Sequence, residues 1–249
     1  MKPFFCRCGT KKDMIDILEQ NQPISYTKYV EPFVGGGAAY WSKSEEDIPK
    51  VINDLDTNLM TGYELLKNGN IEFIEKYDSK DLQILHEWYK YDGSDDTRIL
   101  VANILVCNTF GSKTGKVNKM YKTSTPYTKL KKVPEYRSKM QKTTIANKDY
   151  LQLIKEHDDE GTYFFLDPPY VESSEHIYKH KSICADTMAD ELSKIKGKFL
   201  LTIDDTISNR NIFSNFNIKS HIVKRKITPR SKIPKPGCKD RSDLIITNY

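Results

Sequence analysis

Thr162-Tyr163-Phe164-Phe165-Leu166-Asp167-Pro168-Pro169-Tyr170 is the stretch from which the rest of the chain can be read. Its first five residues form an unbroken run of β-branched, aromatic and aliphatic side chains, as in a strand buried on both faces. Proline cannot donate to a sheet ladder, so the strand stops at Asp167. Open α/β sheets bind ligands outside the carboxyl ends of their strands, which puts Asp167 and Tyr170 where a site belongs. An acid and two prolines can also close an ordinary strand with a helix-capping turn. The apolar run leading into them favours the site.

Working outward, similar runs occur at 28–33, 50–53 and 198–203, with two more near the C-terminus at 221–227 and 243–247. Helical spacing fits 12–19, 59–67, 71–77, 82–89, 98–109 and 187–195. Strands alternating with helices predict an α/β fold, a mostly parallel sheet covered on both faces. From 62 to 144 the pattern is helical with no convincing buried strand. That segment reads as an inserted lobe, leaving 1–61 and 145–249 to build the sheet domain.

A length of 249 residues and a hydrophobic content of 38% suffice for a real core and argue against disorder. No apolar run approaches the ~20 residues a bilayer span needs, so no membrane role is expected. The first residues, Met1-Lys2-Pro3-Phe4-Phe5-Cys6, carry no signal-peptide pattern. The cysteines, Cys6, Cys8, Cys107, Cys184 and Cys238, form no C-x-x-C pair. Neither a metal site nor a disulfide framework is indicated, and a reduced intracellular compartment fits. No feature marks a protein partner.

Positive charge is concentrated. Residues 112–142 hold nine Lys and one Arg against one Glu, more than the whole chain's net charge of +5. Tyr121, Tyr127 and Tyr136 interleave that run. A second run, 219–241, adds further Lys with Arg225, Arg230 and Arg241. A lone lysine run is usually a solvated surface. Two runs, one with aromatics able to stack, point to a polyanion partner.

Two further motifs flank the first half of the fold. Glu31-Pro32-Phe33-Val34-Gly35-Gly36-Gly37 leads from a strand into glycines that let a ligand approach backbone without meeting a β-carbon. The spacing is not G-x-G-x-x-G, since position 40 is Tyr, so a nicotinamide dinucleotide is disfavoured. Asp54 ends the next strand seventeen positions after Gly37, where mononucleotide folds place the acid that holds ribose hydroxyls. Asp56 could equally serve as a helix cap. At the quoted stretch, Asp167 and the Pro168 carbonyl offer two adjacent acceptors. Such a pair suits a conjugated amine, because accepting both N–H bonds favours its pyramidal, reactive geometry.

In this order the segments resemble the Dam-type family of DNA adenine methyltransferases, and the resemblance runs through nearly the whole chain. Residues 31–37 look like the family's cofactor loop, Asp54 its ribose-binding acid, and Asp167 to Tyr170 its catalytic DPPY motif. Residues 198–202 and 243–249 are similar to the strands that follow. Arg7-Cys8-Gly9-Thr10-Lys11 falls on a W-x-G-G-K-like segment that closes over the cofactor. Lys11 and Gly9 match; Arg7 replaces an aromatic and Thr10 a glycine. In the lobe, Gly115-Lys116-Val117-Asn118 echoes a G-x-F-N ending, with Lys113 nearest to the family's usual loop Arg. Asn147-Lys148-Asp149-Tyr150 either edges the cofactor's adenine or caps a helix at Asp149.

The resemblance implies a Rossmann-like methyltransferase sheet with a helical DNA-recognition lobe, S-adenosylmethionine as cofactor and double-stranded DNA as substrate. It assigns catalysis to Asp167, Pro168, Pro169 and Tyr170, the last stacking on a flipped adenine. Cofactor binding falls to Arg7, Lys11, Glu31, Pro32, Phe33, Gly35, Gly37, Asp54 and Asp167. DNA binding falls to Lys113, Lys116, Asn118, Lys119, Lys131 and Lys132. Three functions compete: methylation of adenine N6 in DNA, methylation of another amine such as cytosine N4 or RNA adenine, and nucleic-acid binding by a catalytically weakened relative. Asp at 167, where methyltransferases of other amines commonly carry Ser or Asn, tilts the reading to adenine.

Overall fold

The structure, a computed structural model, describes residues 1–7, 11–71, 96–107, 128–169, 183–223 and 241–249. In chain order these form a 3₁₀ turn Lys11–Met14, α1 Ile15–Gln20, β1 Lys28–Glu31, α2 Ala38–Ser42, β2 Lys50–Asn53 and α3 Thr57–Asn68. There follow α4 Asp96–Cys107, α5 Val133–Lys139, β3 Thr143–Ala146, α6 Tyr150–His157 and β4 Thr162–Leu166. The chain continues with α7 Ala185–Leu192, β5 Lys198–Asp204, α8 Ile207–Ile212, β6 Asn217–Val223 and β7 Arg241–Thr247. The helices expected at 82–89 and over most of 71–77 lie outside the described residues.

The strands form one seven-stranded sheet in the order β3-β2-β1-β4-β5-β7-β6. Neighbours from β3 to β5 are parallel, and β7 runs antiparallel between β5 and β6. This is a Rossmann-like α/β fold. The chain builds outward from β1 through β2 to β3, then returns to the other side of β1 to lay down β4. The strand order therefore reverses between β1 and β4, and such a reversal opens a crevice at the carboxyl ends of the strands. Register Val30↔Phe164 brings Glu31 and the end of β4 to that crevice, and Glu31↔Ile52 brings the end of β2 beside them.

Alternation along the strands divides the core in two. Tyr29, Ile52, Tyr163, Phe165, Leu200 and Ile245 face one layer, built from Phe4, Phe5, Trp41 and the buried stripe of α3. Val30, Phe164, Leu166, Phe199, Leu201 and Leu244 face the other, built on α6, α7 and Phe213. Each fully buried large side chain contributes about 1.5–3 kcal/mol relative to exposure. In α3, Asp56 caps the first turn by accepting the Leu59 N–H, and Leu59, Tyr63 and Leu66 lie on one buried face.

One local expectation changes. A strand, β3, occupies 143–146, where the sequence showed only a polar Thr-Thr-Ile-Ala. Among the described residues it is an edge strand bonded only to β2, with Thr144 exposed and Ile145 half-buried, so it needs no apolar run. Further, α3 crosses 61/62 without a break, and Leu100, Val101 and Ile104 of α4 share the core layer of Tyr29 and Ile52. The described helices between 62 and 144 thus pack into the sheet domain's own core.

Candidate active site

Three carboxylates meet at the crevice, one from each of the neighbouring strands β2, β1 and β4. Glu31 ends β1 on the same face as Tyr29, as a two-residue period requires, and accepts the Tyr29 hydroxyl at 2.6 Å. It is buried, with 2% exposure, and burial pushes its carboxyl well above the usual range. The neighbouring charges of Asp167 and Asp54 push the same way; the Tyr29 hydroxyl and the Tyr40 backbone oppose.

Asp54, just past β2, is held by backbone. Gly35 N–H donates to its Oδ2 and Asp56 N–H to its Oδ1, each at 3.0 Å. Burial raises its carboxyl, while those two N–H groups and the positive charge of Arg7 work against the rise. Asp167, just past β4, is held by side chains. Lys11 Nζ lies 2.7 Å from its Oδ1, and the Thr202 hydroxyl of β5 donates to the same oxygen at 2.9 Å. Lys11 is itself buried.

The glycine turn lies between these acids. Gly35 and Gly37 have φ of +46° and +71°, which side-chain-bearing residues rarely adopt. A β-carbon on Gly37 would come within 2.7 Å of the Tyr63 hydroxyl, which donates to the Gly35 carbonyl at 3.1 Å. Among the described residues, a β-carbon on Gly35 would meet nothing within 4 Å. The turn is thus braced from beneath by α3, and no described residue fills the space at Gly35. An open backbone surface flanked by acids suits a ligand that carries hydroxyls and positive charge.

The remaining expected residues take varied places. Pro32 is buried and its carbonyl accepts Asn53 Nδ2 at 2.9 Å, so it shapes the turn. The Phe33 ring lies 5.2 Å from that of Tyr150, against the layer of α6. Arg7 forms an ion pair with Asp56. Pro168 is buried and Pro169 half-buried directly after Asp167. Asp149 caps α6 by accepting the Leu151 N–H at 2.9 Å, the second of the two roles open to it. Lys131 and Lys132 are exposed at the start of α5, which packs on α3. Tyr170, Lys113, Lys116, Asn118 and Lys119 lie outside the described residues, as do Gly9 and Thr10.

Sequence reading missed Thr202, Tyr29, Tyr63 and Asn53. Tyr29 carried a signal, since it stands two residues before Glu31 on an alternating strand. Asn53 also ties the site together, donating to the Lys148 carbonyl at 3.0 Å while accepting its N–H at 2.8 Å. Nothing local marks Thr202, which meets Asp167 only because β4 and β5 are neighbours. Among the described residues no group of three or more His, Cys, Asp or Glu is arranged to hold a metal, and no helix is long and apolar enough to cross a membrane.

Comparison with known proteins identifies the family. The profile of a family described as D12 class N6 adenine-specific DNA methyltransferase matches residues 8–227. The chain is 25% identical to the type II methyltransferase M.MjaIII of Methanocaldococcus jannaschii, the alignment covering 100% of this chain and 99% of that protein. It is 21% identical to the type II methyltransferase M1.LlaDCHI of Lactococcus lactis subsp. cremoris, over 100% of this chain and 96% of that protein. A third relative, the type II methyltransferase M.CviBI of Paramecium bursaria Chlorella virus NC1A, is 24% identical over 68% of this chain and 69% of its own length.

Proposed function

The chain belongs to the D12 class of N6 adenine-specific DNA methyltransferases, and from that premise we propose how its residues divide the work. It methylates adenine in DNA at N6; the cofactor, the roles of individual residues and the state of the target base are our reading. When bound, S-adenosylmethionine supplies an electrophilic methyl group. The open Gly35 backbone cradles it, and Asp54 accepts its ribose hydroxyls through charge-assisted hydrogen bonds. Asp54 and Asp167 give the crevice the negative character that a sulfonium cation favours.

One observation carries the catalytic assignment. Asp167 stands at the switch point with Oδ1 engaged by both Lys11 and Thr202. That clamp sets the carboxylate's orientation, so Oδ2 is the oxygen presented to the adenine amine. The Pro168 carbonyl takes the second N–H. Both acceptors are in place before reaction, so little reorganisation opposes the transition state. Tyr170 follows in sequence and stacks on a base swung out of the duplex. The exposed lysines at 131 and 132, with the basic runs at 112–142 and 219–241, hold the phosphate backbone of double-stranded DNA. Free, exposed Cys6 and Cys184 support an intracellular setting.

Incubation of duplex DNA with methyl-labelled S-adenosylmethionine, followed by nucleoside analysis, tests the reading. Labelled N6-methyladenine is expected. Absence of cofactor binding by calorimetry at millimolar concentration overturns the cofactor assignment.

A further inference from the structure

The N-terminal segment meets the crevice at two points. Lys11 reaches Asp167, and Arg7 reaches Asp56, with side-chain exposures of only 11% and 24% in the second pair. Asp56 does double duty. Its Oδ2 takes the guanidinium while its Oδ1 accepts the Leu59 N–H at 3.2 Å and caps α3. The guanidinium is therefore tied to a carboxylate that cannot swing away without uncapping a helix. The backbone N–H of the same Asp56 donates to Asp54 Oδ1. A held cation thus stands beside the acid that reads the ribose.

Charge balance at Asp54 gives this placement a purpose. Burial favours the neutral carboxyl, and the negative charge of Asp56 on the same turn adds to that tendency, while Glu31 on β1 has its own carboxyl raised by burial and by Asp54. Arg7, from the N-terminal segment, opposes it together with the Gly35 and Asp56 N–H groups. Lys148, on the link from β3 to α6, has its Nζ on Glu156 at 2.6 Å. An ionised carboxylate only accepts hydrogen bonds, whereas a protonated one must spend an oxygen as donor and serves two ribose hydroxyls poorly. The aromatic that the Dam-type pattern carries at this position supplies no formal charge.

We propose that Arg7 is a positioning residue for cofactor recognition: anchored on Asp56, it holds Asp54 as a pure acceptor for the ribose hydroxyls. The inference rests on the cofactor assignment made above. S-adenosylhomocysteine separates the two, because it shares the ribose and lacks the sulfonium charge. Its affinity is measured by calorimetry from pH 5.5 to 8 for the parent, Arg7→Met, Arg7→Lys and Arg7→Gln. Gln keeps a polar end that can donate to Asp56 and removes only the charge, so it serves if Arg7→Met folds poorly.

In the parent, affinity stays level to a lower pH. In Arg7→Met and Arg7→Gln it begins to fall at higher pH, by up to roughly tenfold per pH unit once the acid takes up its proton. Arg7→Lys restores most of the parent profile. A purely structural role weakens binding equally at every pH, so profiles that differ only by a constant factor, or not at all, overturn the proposal. Failure of the parent itself to bind overturns the cofactor assignment instead.

Discussion

Asp54 and Asp167 end strands on either side of β1 and face one crevice, yet the fold secures them by different means. Asp54 is gripped by the Gly35 and Asp56 backbone, so its orientation follows from the path of the chain. Asp167 is gripped by Lys11 and Thr202, side chains drawn from the N-terminal segment and from β5. A backbone grip gives a rigid receptor whose main requirement is to be ionised. A side-chain grip leaves one carboxylate oxygen to be aimed and lets neighbours tune it. The first suits recognition of an unreacting ribose, the second an acceptor whose bonds must strengthen as the amine becomes a nucleophile.

The sharpest break of this contrast is Asp167→Ala. Methyl transfer should fall by roughly 10²–10³-fold or more, as when a preorganised polar group aimed at a transition state is removed. S-adenosylmethionine affinity should fall less than the rate does, because Asp167 offers the cofactor only its charge, measured by single-turnover kinetics alongside calorimetry. Substantial turnover in a folded variant breaks the assignment. Asp54→Ala should do the reverse, weakening the cofactor by about 1.5–3 kcal/mol while single-turnover rates at saturating cofactor change little. Equal losses of affinity and rate would show that the two acids are not separable.

Thr202→Val tests the side-chain grip alone. It removes one hydrogen bond to the Asp167 carboxylate at constant shape, a bond worth about 1.5–3 kcal/mol of which the part that orients Oδ2 reaches the rate, so kcat should drop several-fold with KM for the cofactor unchanged. An unaltered kcat would leave orientation to Lys11.

Glu31, between the two acids, gives the smallest effect and a distinct readout. Its carboxyl is raised in the folded state, so its favourable contribution to stability is complete below the ordinary carboxylate range. That contribution is lost as pH rises through the folded value. Glu31→Gln carries no such loss. The melting temperature of the unliganded variant should therefore exceed the parent's at pH 8 and approach it at low pH, by about 2–4 °C for each kcal/mol relieved. A variant less stable than the parent at pH 8 would show that the Tyr29 bond outweighs burial of the charge.

Most of the parallel sheet was legible because central strands are buried on both faces and so must be continuous apolar runs. β4 and β5 announced themselves in this way, and β2 matched residue for residue. β3 did not, because an edge strand has one bonded neighbour and tolerates Thr-Thr-Ile-Ala. Helix ends followed their caps where an acid stood in place, as at Asp56 and Asp149. Tyr170 and most of the expected DNA-contacting lysines fall outside the described residues.

The sequence by itself determined which chemical groups the site holds. Asp167 with its prolines, Asp54 and the glycine turn are local patterns, set by what ends a strand and what lets backbone approach a ligand. Only the tertiary structure decided how those groups are held. Lys11 and Thr202 lie far from Asp167 in the chain, and Arg7 lies 49 residues from Asp56. Such pairs arise where strand order and the path of the N-terminal segment bring distant residues to one edge, and no local spacing encodes that proximity.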